Sequence, residues 1–518
     1  MVINATVYTV DSSFSKAEAV AVDKGKIVEV GTTAALREKY EAKEEVDGQG
    51  KFVYPGLIDA HAHFLGYGLS LQNANLVGTK SWEEVLDAMK KFGDENKEGW
   101  LVGRGWDQND WDNKSFPNNE KLNELFPDRP VILSRVDGHA AIANNKALAL
   151  AEIKAGDQLE GGSIEVINGK LTGILIDNAT GLVHSKIPSE TTAQLKEALL
   201  DAQKNCFAAG LTTIDDCGLD YTSALLMDSL QKANELKMRM YVMLNDSKRS
   251  YDFIFAKGKI KTDRLNVRAI KVYADGALGS RGACLLQPYS DKPGWTGFLL
   301  SSISHFDSVA HIIYDNQLQM CTHAIGDSGN RVILNTYAKY LKGKNDLRWR
   351  IEHSQVVNEN DFHLFGDNSI IPSVQPTHGT SDMYWAGDRL GPVRVKNAYA
   401  FNDLKKQNGW VALGTDFPVE DISPIKTFYA AVARKDSKGW PEGGFQMENA
   451  LSREDAMRGM TIWAAKSNFE ENEKGSLEKG KFADFILMDS DLINMKESEI
   501  LNSKVLMTFV GGEKVFGK

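Results

Sequence analysis

Cysteine is scarce: Cys206, Cys217, Cys284 and Cys321 are the only four in 518 residues, irregularly spaced. That excludes a disulfide framework or a structural zinc knuckle, and buried free thiols are expected instead. No run of about 18 apolar residues is present, so no spanning helix is expected. The 70 acidic and 60 basic residues are interspersed, for a net charge of -10, and no basic surface for nucleic acid is predicted. There is no GxSxG elbow, no recognisable context for a catalytic cysteine, and no glycine-rich phosphate loop after any strand-like run. The opening MVINATVYTVDSS has no basic stretch followed by an apolar one, so no signal peptide is read. The cytoplasm is the expected compartment, with an exported form open if a leader has been removed.

What is present is a large amount of strand punctuated by helical pattern. Eight short apolar runs each stop at a polar residue: 55–63, 211–217, 238–244, 267–275, 319–327, 348–354, 369–376 and 410–418. Most are followed by helical periodicity, the pattern of buried parallel strands with crossover helices. This predicts an α/β fold, a distorted (β/α)8 TIM barrel spanning 53–469. The first fifty residues and the last forty alternate with period 2, and a GG between apolar runs near the end reads as a hairpin. Segments 1–52 and 470–518 are therefore expected to pair into one composite β-sandwich. About 150 residues separate the first two runs where one helix needs about 30, so an insertion after barrel strand 1 is expected at about 75–200, roofing or flanking the barrel mouth.

His61 and His63 close the first run, and residues i and i+2 of a strand share a face, so two imidazoles can converge on one ion. The pair alone is a weak signal. Lys271, His323, His353 and Asp416 at four other strand ends strengthen it, because barrels place active sites at that end and an apolar barrel does not gather such groups uncompensated. Nitrogen and oxygen donors of this kind suit Zn²⁺ and tolerate Mn²⁺, Fe²⁺ or Co²⁺. Lys271 inside a strand is the odd member, since burial depresses an ammonium's pKa. Either it pairs with Asp275, or its neutral amine takes up CO₂ as a carbamate able to bridge metals.

The stretches GLIDAHAHFLGYG, DGHAAIANNKAL, KVYADGALGSRGA, THAIGDSGNR, RIEHSQVV, GTDFPVE, FADFILMD and TFVGGEKVF span nearly the whole chain. In them the sequence resembles the amidohydrolase superfamily, and within it the YtcJ-like group that includes N-substituted formamide deformylases. The resemblance implies a barrel whose metal ligands are His61, His63, Lys271 as a CO₂-derived carbamate, His323, His353 and Asp416. One ion would take His61, His63 and Asp416 and the other His323 and His353, bridged by Lys271; a single-metal site is also open.

The implied function is hydrolysis of a C–N amide-type bond, in an N-acyl or N-formyl compound, by a metal-activated hydroxide, with Asp416 as proton handler. A deaminase or cyclic amidase on the same site, and a non-catalytic regulatory homologue, are the alternatives. Candidate substrate-binding residues are His139 in the insertion, His378 after the seventh run, Arg281 for a substrate carboxylate, and Trp106, beside Asp107, as an apolar wall. His184, His305, His311 and His363 lie away from strand ends and are read as solvated or structural. Asp215 and Asp216, adjacent on a strand, face opposite ways and are not expected to form a carboxylate pair. The expected partner is a small molecule, with neither nucleic acid nor membrane span, and a homodimer is the oligomer left open.

Overall fold

The chain's structure is a computed structural model and describes residues 1–517. Eight parallel strands pair in chain order: β1 (Leu57–Ala62), β2 (Leu211–Leu219), β3 (Arg239–Asn245), β4 (Leu265–Tyr273), β5 (Gln319–Ala324), β6 (Arg350–His353), β7 (Ile371–Val374) and β8 (Ala412–Leu413). The last strand meets the first just beyond their ends. The amide of Asp416 donates to the carbonyl of His61 and that of His63 to the carbonyl of Phe417, both at 2.8 Å. All eight are the strands predicted from sequence, and each is buried on both faces over most of its length, as a parallel sheet covered by helices requires.

Helices start where the sequence supplies a side-chain acceptor. Asp220, Ser247 and Ser302 each accept a backbone N–H of the helix that follows, over Tyr221–Lys232, Lys248–Lys257 and Ile303–Asp315. Each such cap contributes about 1 kcal/mol. Apolar residues such as Leu230, Met240, Ile270, Phe306, Ile333 and Ile351 fill the layer between helices and strands. The barrel's interior is a different matter. Arg350 is fully buried there and bonds Asp215 at 2.8 Å, Ser373 at 3.0 Å and the carbonyl of Ala60.

The two chain ends meet in one sheet. Phe485–Met488 runs antiparallel to Phe52–Pro55, with Phe485 opposite Pro55 and Leu487 opposite Val53. A second sheet, of Val2–Ile3, Ala19–Asp23, Lys26–Gly31 and Val46–Asp47, faces it across Val7, Val20, Val53, Phe485 and Phe509. The hairpin joining Val505–Val510 to Glu513–Phe516 turns on Gly511 and Gly512, both at positive φ, the geometry a two-residue turn between twisted strands demands.

Between β1 and β2 the chain builds a six-stranded sheet, in the order Gly162–Ile167, Lys170–Asp177, Ala140–Ala143, Val131–Arg135, Leu101–Trp106, Ala74–Asn75. Its two faces carry separate apolar clusters, one with Leu76, Met89 and Leu133, the other with Ile132, Leu148 and Leu175. The sequence predicts only an insertion here, not its strands. Four cysteines are free; three are buried, and Cys284 is partly exposed.

Candidate metal centre

The ends of β1, β4, β5 and β6 and the turn after β8 converge. His61 is fully buried, and its Nδ1 lies 2.7 Å from a carboxylate oxygen of Glu352. An ionised carboxylate only accepts, so Nδ1 carries the proton and the Nε2 lone pair is turned inward. That Nε2 lies 3.2 Å from Nζ of Lys271 and 3.5 Å from Oδ1 of Asp416. His353 is aimed in the same way, with Nδ1 2.7 Å from Oε1 of Gln375. His61, His353 and Asp416 each offer a ligand atom, and the three atoms lie within 4.8 Å of one another. His63 places Nε2 3.2 Å from Oδ1 of Asp416 and Nδ1 3.2 Å from the carbonyl of Cys217. The ring of His323 is 4.6 Å from that of His353. Thus all six residues singled out as ligands come to one place, and the tightest trio joins His353 to His61 and Asp416.

Two observations show that these side chains fit a cation. Oδ1 of Asp416 and Nε2 of His323 are buried without a hydrogen-bond partner, a costly arrangement unless something else engages them. Moreover, the groups stand in the protonation states a metal needs. Burial pushes His61 down to about 4, helped by the Lys271 ammonium, and carries His323 and His353 well below the ordinary histidine value, so all three are neutral at neutral pH. Burial works to raise the carboxyl of Asp416, but His63 and the neighbouring imidazoles outweigh it and hold the group ionised. Two of these residues, His353 and Asp416, sit at positive φ, 72° and 63°, strain that non-glycine residues keep mainly at functional sites.

Lys271 departs from expectation in one respect. Burial does disfavour its ammonium, but Cys217, Tyr273 and the carboxylates of Glu352 and Asp416 more than offset this, and its pKa is raised rather than depressed. It is not paired with Asp275, whose carboxylate is taken by the backbone amides of Cys284, Ile325 and Gly326.

All of these ligands but His61, which lies behind them, line a cavity of about 790 Å³, walled by the barrel end and by the insertion. His139 and His378 both line it. Nδ1 of His139 lies 2.6 Å from Asp177, whose backbone is held at φ 51°, and its ring is 4.9 Å from that of His323. His378 stacks on His353 at 5.7 Å, with Nε2 3.5 Å from Oδ2 of Asp416. Two sequence-based candidates sit elsewhere. Trp106 is fully buried in the insertion's own core, its Nε1 donating to the carbonyl of Leu133; its neighbour Asp107 is the one that lines the cavity. Arg281 is tied to Asp291 at 2.8 Å, outside the cavity lining. Asp215 and Asp216 do point apart, the first to Arg350 and the second to the amides of Phe64 and Leu65.

Sequence reasoning missed Glu352, although a signal existed: Arg350 and Glu352 alternate inside an apolar run, as anomalous as Lys271. It also missed Gln375, and the carboxylates of Asp382 and Glu420 on the cavity wall. Burial raises Asp382 to about 7 and raises Glu420 as well.

A model of the amidohydrolase family matches residues 44–516, and one of a bacterial imidazolonepropionase-like composite domain matches 19–40. The chain is 32% identical to Protein LONG AFTER FAR-RED 3 of Arabidopsis thaliana, covering all of this chain and 91% of that one. It is 29% identical to YtcJ of Bacillus subtilis, over 99% and 98% of the two chains. Identity to the N-substituted formamide deformylase of Arthrobacter pascens is 26%, over 99% and 97%. Among solved structures, a metal-dependent hydrolase of Pyrococcus horikoshii superposes with a TM-score of 0.78 at 27% identity, over 96% and 98%. With its nearly closed parallel barrel and its buried His61, His353 and Asp416, the chain belongs to the amidohydrolase family of metal-dependent hydrolases.

Proposed function

We propose that this protein hydrolyses a C–N amide-type bond in a small N-acyl or N-formyl compound. The observation that carries this reading is the His61, His353 and Asp416 cluster, of which His353 and Asp416 line a cavity large enough for such a substrate. The similarity to an N-substituted formamide deformylase points the same way. The residues that would hold a metal are His61, His63, His323, His353 and Asp416, with Lys271 as a carbamate, formed once its ammonium gives up one proton and the free amine takes up CO₂ with loss of a second. Zinc is the metal that these donors favour.

A divalent ion held there would supply Lewis acidity toward a carbonyl and a water acidified to a pKa of about 7. The protein's own groups do the rest. Asp416, held ionised, receives the water's proton and returns it to the leaving nitrogen. Glu352 fixes the tautomer of His61, and Gln375 that of His353, so that both rings present Nε2 to the centre. His139, locked by Asp177, faces the substrate from the insertion, and His378 does so from the segment after β7.

The test is metal analysis of the purified protein together with a screen of N-formyl and N-acetyl amines, lactams and aminated rings, read as released formate, acetate or ammonia. Bound transition metal and release of the acid from an open-chain amide are expected. Release of ammonia from ring substrates alone, or a preparation without metal that gains no activity from Zn²⁺, Mn²⁺ or Co²⁺, would overturn the proposal.

A further inference from the structure

The cavity wall contributed by the insertion carries a cation without an ion-pair partner among the described residues; the more distant charges of Asp137 and Asp416 favour it but do not offset its burial. Arg104 lies on the strand Leu101–Trp106 and lines the same cavity as His63, His323, His353 and Asp416. Its Nη2 donates to the carbonyl of Val136 at 2.8 Å, and its Nε is buried without a partner. No carboxylate comes within 4.0 Å of it among the described residues. The other cavity cations away from the metal ligands are matched. Arg135 sits between Asp107 and Asp137, and Lys426 bonds Asp421 at 2.6 Å.

Other carboxylates that line the cavity are already engaged. Asp137 spends one oxygen on Arg135 and the other on the amide of His139. Asp382 accepts from the hydroxyl of Tyr399 at 2.8 Å, and Glu420 from that of Ser381 at 2.6 Å. A guanidinium offers five donors in a planar fork matched to a carboxylate, and here one protein hydrogen bond uses it. Desolvating such a charge without a counter-ion is expensive, so a ligand anion is its natural complement. Leu71 and Val77, both exposed, line the same cavity and offer it apolar surface.

We propose that Arg104 is the anion-binding residue of this cavity, and that the substrates are amides bearing a carboxylate, with N-acylated amino acids as the simplest class. The amide part rests on the function proposed above; the anion part does not. Arg104 is thereby a specificity residue, gripping the substrate at a distance from the scissile bond.

The test compares two probes differing only in the carboxylate, N-acetylphenylalanine (both enantiomers) and N-acetylphenethylamine. Their Kd values are measured by calorimetry on the metal-loaded full chain. The wild type is expected to bind one enantiomer of the acid at least tenfold tighter than the neutral amide. Arg104→Met should bring the two within threefold, while Arg104→Lys keeps part of the preference. Should Arg104→Met fail to fold, as judged by thermal unfolding, Arg104→Gln supplies the neutral variant. Equal affinity in the wild type, binding of neither probe, or a preference that survives neutralisation of Arg104 would each overturn the proposal. Turnover measured alongside separates the two readings. Acid-selective binding that depends on Arg104, without hydrolysis of either probe, keeps the anion site and removes the amide hydrolase.

Discussion

Replacing Glu352 by glutamine isolates what orients the first ligand. Glu352 is fully buried, accepts from Nδ1 of His61 at 2.7 Å, and forms an ion pair with Arg350 at 2.7 Å. Glutamine keeps the shape but removes the charge, and with its oxygen kept toward His61 its NH2 faces the Nε–H of Arg350, donor against donor. Two costs follow. Arg350 is left with Asp215 as its only carboxylate, and breaking a buried pair in this way costs about 3–5 kcal/mol of stability. His61 keeps at best a neutral carbonyl oxygen in place of a carboxylate, and weakening the partner that fixes its tautomer typically lowers metal affinity about 10–100-fold. The first cost is read from urea unfolding. The second is read from competition with a chelator of known affinity, at a temperature where the variant is folded. Glu352→Asp, which keeps the charge but shortens the reach, should recover much of the stability and less of the metal affinity. A Glu352→Gln protein that binds metal within threefold of the wild type and unfolds at the same urea concentration would refute the reasoning.

Asp416→Asn should bind metal weakly and lose at least about hundredfold in kcat, since it removes both a ligand and the proton carrier; wild-type kcat with metal bound would refute that role. Gly276→Ala would place a Cβ 2.3 Å from Oδ2 of Asp177. The displaced Asp177 should release His139 and lower kcat/KM on the best amide by about tenfold or more while metal content stays unchanged, as checked by elemental analysis. Asp382 gives a pH test. Its carboxyl is raised from the ordinary 3.8 to about 7, chiefly by burial, so the folded protein keeps a proton that the unfolded chain gives up across that window. Stability contributed below pH 4 is therefore lost as pH rises toward 7, by at most about 4 kcal/mol. Asp382→Asn should be progressively more stable than the wild type as pH rises from 4 to 8, and parallel unfolding curves would contradict the shift.

Polar residues at the ends of apolar runs are conspicuous because burial is costly for them, and this makes His61, Lys271, His323, His353 and Asp416 legible from the amino-acid order alone. The same cost makes the barrel legible, since eight buried strands leave eight apolar runs. The insertion hides its strands. Gly103 and Gly105 flank Arg104 and break the alternation that would mark LVGRGW, so Trp106 reads as a cavity wall although its strand turns it inward. Arg281 and Arg104 both lie between small residues, and only the fold shows that one has Asp291 beside it while the other has no carboxylate within 4.0 Å among the described residues. The sign of the shift at Lys271 is likewise out of the sequence's reach. Its burial is visible there, but the groups that outweigh burial come from β2, β4 and β6 and from the turn after β8.

The barrel's seam has a bearing on how the protein is made. Asp416 bonds the backbone of His61 across the junction of β8 with β1, and the two side chains belong to one cluster. During synthesis His61 leaves the ribosome long before Asp416 exists, so a nascent chain cannot assemble this trio until nearly all of the barrel has emerged. An ion captured afterwards would tie the earliest strand to the latest, acting as a clasp on the finished ring as well as a reagent.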